Sequence, residues 1–191
     1  MAKFNHFDVL APKYERFIKP IDPVRLCSLV GLPIKGQLLD AGGGTGRISY
    51  SLRQWVKGVV IVDSSMGMLV QAKTKAGLQT VCSNTEKLPF HNEIFERVIM
   101  VDALHHVSDI NATLDELWRV VKPGGRIVIE EPDIQTYTVK ILAIIEKLAL
   151  MRSHFMAPQN IQKAFGDKNA SHRIIREGMT VWVIVEKLLK E

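Results

Sequence analysis

Seven polar residues, Asp40, Asp63, Asn84, Asp102, His105, His106 and Glu131, stand at or just past the ends of short apolar runs. Their types cover binding and proton transfer. Carboxylates accept hydroxyl and N–H donors, an asparagine amide both donates and accepts, and imidazole titrates near neutral pH. The densest stretch is Leu38-Leu39-Asp40-Ala41-Gly42-Gly43-Gly44-Thr45-Gly46, where a carboxylate closes an apolar run and four glycines follow. Such a turn lets a ligand approach the backbone, and a helix beyond it offers unpaired N–H groups, which suits a nucleotide-type ligand. Dinucleotide turns read G-x-G-x-x-G; Gly42 and Gly44 fit the first two positions, but Arg47 occupies the third. Asp40 would repel a pyrophosphate and suits a ligand carrying positive charge. Taken alone, the stretch also reads as a glycine-rich turn that holds nothing.

The other residues extend the first reading. Asp63 ends the run Gly58-Val59-Val60-Ile61-Val62, roughly 20 residues past the glycines, where dinucleotide sites place an acidic residue on the ribose hydroxyls. Its competing role is to cap a helix that starts near Ser65. Asn84 and the backbone N–H of Thr85, in a polar turn before Leu88-Pro89-Phe90, offer the donor and acceptor that an adenine edge needs. His106 or His105 is the candidate general base, with Glu131 a weaker one; a structural role for either histidine is the alternative. Sequence neighbours point in different directions, so at most one histidine faces a substrate, and no metal is expected between them. Cys27 and Cys82 are far apart and in no C-x-x-C, which predicts neither a disulfide framework nor a zinc site.

Periodicity supplies the elements that must position these residues. Residues 4–18 carry Phe7, Leu10, Tyr14, Phe17 and Ile18 at helical spacing, with Tyr14 either reaching toward the site or filling the core. Asp22 with Pro23 reads as the cap of a second helix that runs to Val30 and stops at Gly31. Then alternate a strand to Asp40, a helix from Arg47 to Trp55, a strand from Gly58 to Asp63, a helix from Ser65 to Ala76 and a strand from Leu78 to Cys82. A strand from Phe95 to Val101 follows, then a helix capped by Ser108 or Asp109 that ends before Pro123, and a strand at Ile127-Val128-Ile129. Continuous β-branched runs of this kind suit strands buried on both faces of a parallel sheet. A helix from about Thr136 to Met151 and a shorter one from Pro158 to Phe165 come next. Ser171–Glu177 and Met179–Glu186 flank Gly178 as a hairpin, whose last strand must break the parallel rule. The alternation predicts a three-layer α/β/α sandwich around a seven-stranded, mostly parallel sheet. It is read as one domain over 1–191, with 1–31 a helical cover and 36–191 the α/β core. Ligand crevices of such sheets lie beyond the carboxyl ends of the strands, where all seven polar residues fall.

Composition narrows the partners. At 191 residues, with 47% hydrophobic and 24% charged residues, the chain has ordinary globular proportions. The net charge of +5 comes from scattered lysines and arginines, which argues against a nucleic-acid stripe. Phe4 to Leu10 is interrupted by Asn5, His6 and Asp8, unlike a signal peptide. Val139 to Met151 is broken by Lys140, Glu146 and Lys147 and is too short to span a bilayer. The expected setting is cytoplasmic, with a small-molecule substrate and no nucleic acid; the oligomeric state stays open.

Phe7-Asp8-Val9-Leu10-Ala11-Pro12-Lys13-Tyr14, Leu39 to Gly46, Asp63, Asn84 to Phe90, Leu104 to Asp109 and Lys122-Pro123-Gly124-Gly125 together resemble the class I S-adenosylmethionine-dependent methyltransferases. The group nearest in pattern includes the ubiquinone/menaquinone biosynthesis C-methyltransferases. The resemblance implies a Rossmann-like sheet in the order 3-2-1-4-5-7-6 with the seventh strand antiparallel. It implies S-adenosylmethionine as cofactor and S-adenosylhomocysteine as product, a ligand with a sulfonium, an ammonium and no phosphate, which fits Asp40. By the same resemblance Gly42, Gly44 and Thr45 line the methionine part, and Asp63 with Ser64 holds the ribose. Asn84 and Thr85 hold the adenine, Val101 touches the cofactor through its backbone, and Tyr14 closes over the methionine end. This chain has Tyr14-Glu15 where the family has Tyr-Asp, and Asn84-Thr85 where it often has Asp-Ala.

The implied reaction is methyl transfer to a small, fairly apolar acceptor, quinone-like or another metabolite, at carbon or oxygen. A sulfonium methyl is already electrophilic, so the protein aligns the nucleophile and excludes water, with a base helping a carbon or phenol acceptor. Adenine-N6 enzymes show Asn/Asp-Pro-Pro-aromatic where this chain has Asp102-Ala103-Leu104-His105. Pyrimidine-carbon enzymes need a cysteine, and neither Cys27 nor Cys82 is expected at the active edge. Protein-arginine enzymes place two glutamates there, and no such pair follows Val101. The competing class is a methyltransferase-like protein that binds the cofactor without turnover and acts through a partner. An NAD-dependent oxidoreductase is disfavoured by Arg47 and Asp40.

Overall fold

The computed structural model describes residues 7–8, 11–16, 22–136, 139 and 154–189. Seven strands, β1 (Gln37–Ala41), β2 (Gly58–Asp63), β3 (Leu78–Cys82), β4 (Phe95–Val101), β5 (Val121–Pro132), β6 (Ala170–Glu177) and β7 (Thr180–Lys187), form one sheet. Its order is β3-β2-β1-β4-β5-β7-β6, as the resemblance implies. The first five strands pair in parallel, and β7 is antiparallel to both β5 and β6, because a hairpin inserts its two strands in opposite directions. The chain leaves β1 toward β2 and β3, then returns to lay β4 on the other side of β1. That reversal opens a crevice at the carboxyl ends of β1 and β4.

The helices α1 (Pro23–Val30), α2 (Arg47–Leu52) and α3 (Met66–Lys73) bury Leu26, Leu29, Ile48, Leu52 and Leu69 against one face of the sheet. The helices α4 (Ile110–Val120) and α5 (Pro158–Lys163) bury Leu114, Leu117 and Ile161 against the other. Burial on both faces is why the central strands read as unbroken apolar runs rather than alternating ones. Local signals set most boundaries. Asp22 accepts a hydrogen bond from Val24 N at 2.9 Å, with Pro23 in the first position of α1, and Gly31 closes that helix at φ 72°. Asp109, not Ser108, caps α4 by accepting from Ala112 N at 3.0 Å.

Several extents differ from the sequence-based expectation. The helix after the glycines ends at Leu52 and tightens into a 3-10 turn over Arg53–Trp55, and α3 ends at Lys73 rather than Ala76. The fifth strand is longer than Ile127 to Ile129, because Val121 already pairs with Phe95 before a register shift. Ala11–Arg16 is a 3-10 helix rather than part of one long amphipathic helix. The helix expected from Thr136 to Met151 lies outside the described residues, Thr136 and Val139 apart.

Candidate cofactor cleft

A cleft of about 820 Å³, counting its open mouth, lies at the carboxyl ends of β1, β2 and β4. Of the residues singled out from the sequence, Gly42, Gly44, Asp63, Ser64, Asn84, Thr85, Asp102 and His106 line it. They come from four separate connections, which only the sheet brings together. The glycines are there for geometry. Gly42 sits at φ 72°, and a Cβ on it would lie 2.7 Å from the Cβ of Ala103 on the opposite wall. Gly46 begins α2 at φ 73°, and a Cβ on it would press against Ile61 Cδ1 at 2.7 Å and Leu78 Cδ1 at 2.8 Å. Gly46 therefore allows the close helix–sheet packing that the third glycine allows in a dinucleotide turn, one position before Arg47.

Asp63 is tied into this turn on both sides. One carboxylate oxygen accepts from Gly44 N at 2.9 Å and the other from Ser65 N at 2.7 Å. The Ser64 backbone N–H is a further donor to this carboxylate, which keeps lone-pair capacity for a hydroxyl donor. Burial pushes the Asp63 carboxyl above its ordinary range, against the lowering effect of those backbone donors. Ser65, not Asp63, supplies the side-chain cap of α3, accepting from Met68 N at 3.1 Å. Thr85 is buried beside Thr113, with the hydroxyls 3.3 Å apart. Glu86, also in the wall, accepts from Ser108 N at 2.8 Å and so joins the two loops that flank Asn84 and His106.

Asp40 and Thr45 lie beneath the turn rather than in the cleft wall. Asp40 is 1% exposed and accepts from Ser49 Oγ at 2.7 Å, and burial raises its carboxyl to about 6. Thr45 turns its hydroxyl to Glu15 at 2.7 Å, and Lys75 donates to its carbonyl at 2.9 Å. Val101 does not line the cleft, but the next residue does: Asp102, at φ 54°. The side chain of Tyr14 lies outside the described residues.

The three base candidates separate clearly. Glu131 is 4% exposed and saturated: it accepts from Leu104 N at 2.8 Å and Ala103 N at 3.2 Å, and pairs with His105 Nδ1 at 2.6 Å. His105 is in turn stacked on Phe155, with ring centroids 4.5 Å apart. This buried pair shapes the turn after β4 and does not reach the cleft. His106 does line it, edge-on to Phe7 at 5.0 Å, with no partner for Nδ1. Burial, and then the neighbouring His105, lower the His106 imidazole to about 3, so it is neutral at pH 7. A neutral ring with so low a proton affinity accepts hydrogen bonds but is a weak base.

The walls also include residues that carried no chemical signal in sequence: Phe7, Met68, Met100, Ala103 and Val107. Phe7 comes from the N-terminal stretch, and Asp8 beside it anchors that stretch on α3 by accepting from Ser65 Oγ at 2.5 Å and Gly67 N at 2.9 Å. The placement of Cys82 needs correction. It ends β3 at the carboxyl edge, opposite Asp63 in register, with its thiol exposed 3.9 Å from Ser64 O. Cys82 does not line the cleft, so that fact, and not distance from the edge, separates it from a cysteine nucleophile. Among the described residues no group of three His, Cys, Asp or Glu is arranged to hold a metal ion.

A turn of this geometry, an acidic residue ending β2 and a strand order of 3-2-1-4-5-7-6 define the class I methyltransferase fold. Residues 39–129 match a family described as "Methyltransferase domain". A demethylmenaquinone methyltransferase of Corynebacterium urealyticum is 30% identical over 155 residues, covering 81% of this chain and 64% of that protein. A ubiquinone/menaquinone biosynthesis C-methyltransferase of Zymomonas mobilis is 33% identical over 100 residues, covering 49% of this chain and 41% of that protein. This chain thus spans less than two thirds of the length of either relative. The solved geranyl diphosphate C-methyltransferase of Streptomyces coelicolor, a complex with S-adenosylhomocysteine, shares the fold. Its TM-score is 0.72 at 16% identity, over 87% of this chain and 78% of that one. Residues 39–129 thus match a methyltransferase family, and the chain is similar to the quinone-biosynthesis C-methyltransferases.

Proposed function

We propose that this protein is an S-adenosylmethionine-dependent methyltransferase whose acceptor is a small, fairly apolar phenol or quinol, methylated at carbon or oxygen. The observation that carries the cofactor is the bond from Gly44 N to Asp63 Oδ2. In a dinucleotide site that turn faces a pyrophosphate; here its amide is engaged by a carboxylate, and Asp40 lies beneath. Phosphate is disfavoured there, while two ribose hydroxyls and a cationic sulfonium suit the charges present. Asp63 with Ser64 takes the ribose, and Asn84 with Thr85 takes the adenine edge. Gly42, Gly44 and the Val101–Asp102 backbone flank the methionine part, over Asp40 and Thr45.

When bound, the cofactor supplies a methyl group already activated by its sulfonium. The chain's part is to align the acceptor and keep water out. Phe7 and His106 close one wall, edge-on to each other. The quinol class is carried by the relatives' names and by the apolar lining of Phe7, Met68, Met100 and Val107. Residues 1–191 are read as one domain, with 1–31 as its cover, in the cytoplasm and without nucleic acid. Among the described residues no helix is long and apolar enough to cross a membrane.

The test is transfer of labelled methyl from S-adenosylmethionine to naphthohydroquinone kept reduced. Label in the extracted product, with S-adenosylhomocysteine formed in step, is the expected result. Tight binding of S-adenosylhomocysteine with no transfer to this quinol, or to a pool of phenolic metabolites, would favour the cofactor-binding reading without turnover.

A further inference from the structure

The loop between β3 and β4 brings Asn84 and Thr85 into the cleft, and it is fastened along its length to α4. Its near end is held by the sheet, where Ser83 N donates to Asp63 O at 3.1 Å. Thr85 meets Thr113 of α4, and because Thr113 Oγ1 donates to Asp109 O at 2.9 Å, the Thr85 hydroxyl is the donor between them. Farther along, Glu116 and Arg119, one turn apart on α4, take hold of the loop backbone on both sides of Pro89. Leu88 N donates to Glu116 Oε2 at 2.7 Å. Arg119 Nη2 donates to Leu88 O at 3.0 Å, and Nη1 to Phe90 O at 2.8 Å and Asn92 Oδ1 at 2.9 Å.

The two remaining N–H groups of Arg119 go to Glu116, from Nε to Oε1 at 2.6 Å and from Nη2 to Oε2 at 2.7 Å, so the whole guanidinium fork is engaged. That bond holds the Glu116 carboxyl below its ordinary range. Neither residue lines the cleft. An ion pair three residues apart on a helix contributes little to stability by itself. What this one supplies is position. It ties three backbone groups, Leu88 N, Leu88 O and Phe90 O, to a helix that is itself packed on the sheet through Leu114 and Leu117. With Ser83 anchored on one side and Leu88 on the other, Asn84 and Thr85 span a short interval between two fixed points.

Resting on the methyl-transfer reading above, in which Asn84 and Thr85 take the adenine edge, we propose that Glu116 and Arg119 are positioning residues that set the base specificity of the cofactor site from outside the cleft. Adenine presents an acceptor, its ring N1, beside a donor amino group, and hypoxanthine presents the reverse. An asparagine amide can turn to suit either edge, but a backbone N–H only donates. A loop free to shift accommodates both bases. A loop clamped at Leu88 keeps the Thr85 N–H where adenine needs a donor, and so selects adenine. By type and spacing alone, a glutamate and an arginine three apart on a helix are ordinary surface residues.

The test is calorimetric titration with S-adenosylhomocysteine and with S-inosylhomocysteine, which differs from it only at the base. The parent protein should bind the adenosyl compound at least about tenfold more tightly, the worth of about one hydrogen bond. Arg119→Lys keeps the charge but loses the fork, and Glu116→Gln keeps the shape but loses the charge. In each, checked for a cooperative melt, the ratio of the two affinities should fall to about threefold or less, chiefly through weaker S-adenosylhomocysteine binding. A merely structural loss would weaken both compounds together and leave the ratio where it was. An unchanged ratio in either folded variant, or a parent protein with no preference between the bases, overturns the proposal. So does loss of the cooperative melt in both variants, which would make the pair a support of the fold. Failure of S-adenosylhomocysteine to bind the parent protein is a separate result: it removes the cofactor reading, and the proposal falls with it.

Discussion

Replacing Glu130 by glutamine should make the protein more stable, and the gain should grow with pH. The native carboxyl titrates at about 8 against an ordinary value of 4.5, because burial and the charge of Asp102 disfavour its ionised form. A carboxyl raised in the folded state contributes most favourably below its unfolded pKa, and stability drains away as pH rises from there through the folded value. At about 1.4 kcal/mol per unit, the cost is about 1 kcal/mol at pH 5, about 3 at pH 7 and about 5 above pH 9. Glutamine stays neutral throughout. It leaves some buried amide unsatisfied, which offsets about 1 kcal/mol of the gain. At pH 7 the net effect of about 2 kcal/mol corresponds to about 4–8 °C in melting temperature for a chain of this size. Paired urea or thermal unfolding of the two proteins at pH 5, 7 and 8.5 reads it directly. His106, lowered to about 3 by burial, acts in the opposite sense, since its stabilising neutrality is lost as pH falls from 6.5 toward 3. That term is common to both proteins and cancels in the difference. A difference that stays flat or narrows between pH 5 and pH 8.5 would falsify the account of Glu130 as a buried, strained acid.

Glu131→Ala strips the acceptor from Ala103 N, Leu104 N and His105 Nδ1. It should cost about 3 kcal/mol in urea unfolding, about one per orphaned donor, whereas a residue that serves only as a base would leave stability unchanged. Gly46→Ala forces a φ of 73° on a residue with a Cβ and drives it into Ile61 and Leu78. A loss of about 2–4 kcal/mol is expected, and a variant as stable as the parent contradicts the packing role given to Gly46.

How much of this was legible in the chain depends on what each residue answers to. Asp22-Pro23, Gly31 and the β-branched runs answer to local geometry, so α1 and the central strands stood close to where their types put them. The seventh strand's reversal followed from the hairpin at Gly178, and the strand order followed from the resemblance. Side-chain direction is a tertiary property, which residue type and spacing do not carry. His105 and His106 are adjacent and chemically alike. One is locked behind the wall by Glu131, and the other faces the cleft. Asp40 is the last residue but one of β1, whereas Asp63 ends β2, and the turn folds over Asp40 so that it serves Ser49 instead of the cleft. Phe7 belonged to a recognisable stretch, but nothing in its spacing distinguished a cleft wall from a core contact. Glu130 and Trp182, cross-strand neighbours, become conspicuous only when the fold buries an unpaired polar atom of each.

On the proposed function, the glycine turn, with Asp63 bonded across it, holds S-adenosylmethionine and not a dinucleotide. Isothermal titration of the protein with S-adenosylhomocysteine and, separately, with NAD measures that claim. S-adenosylhomocysteine should bind, and NAD should give no heat of binding. Asp63→Ala should weaken S-adenosylhomocysteine by about a hundredfold or more, since two hydrogen bonds to a charged group are lost. NAD binding at comparable affinity, or an Asp63→Ala protein with unchanged affinity for S-adenosylhomocysteine, contradicts it.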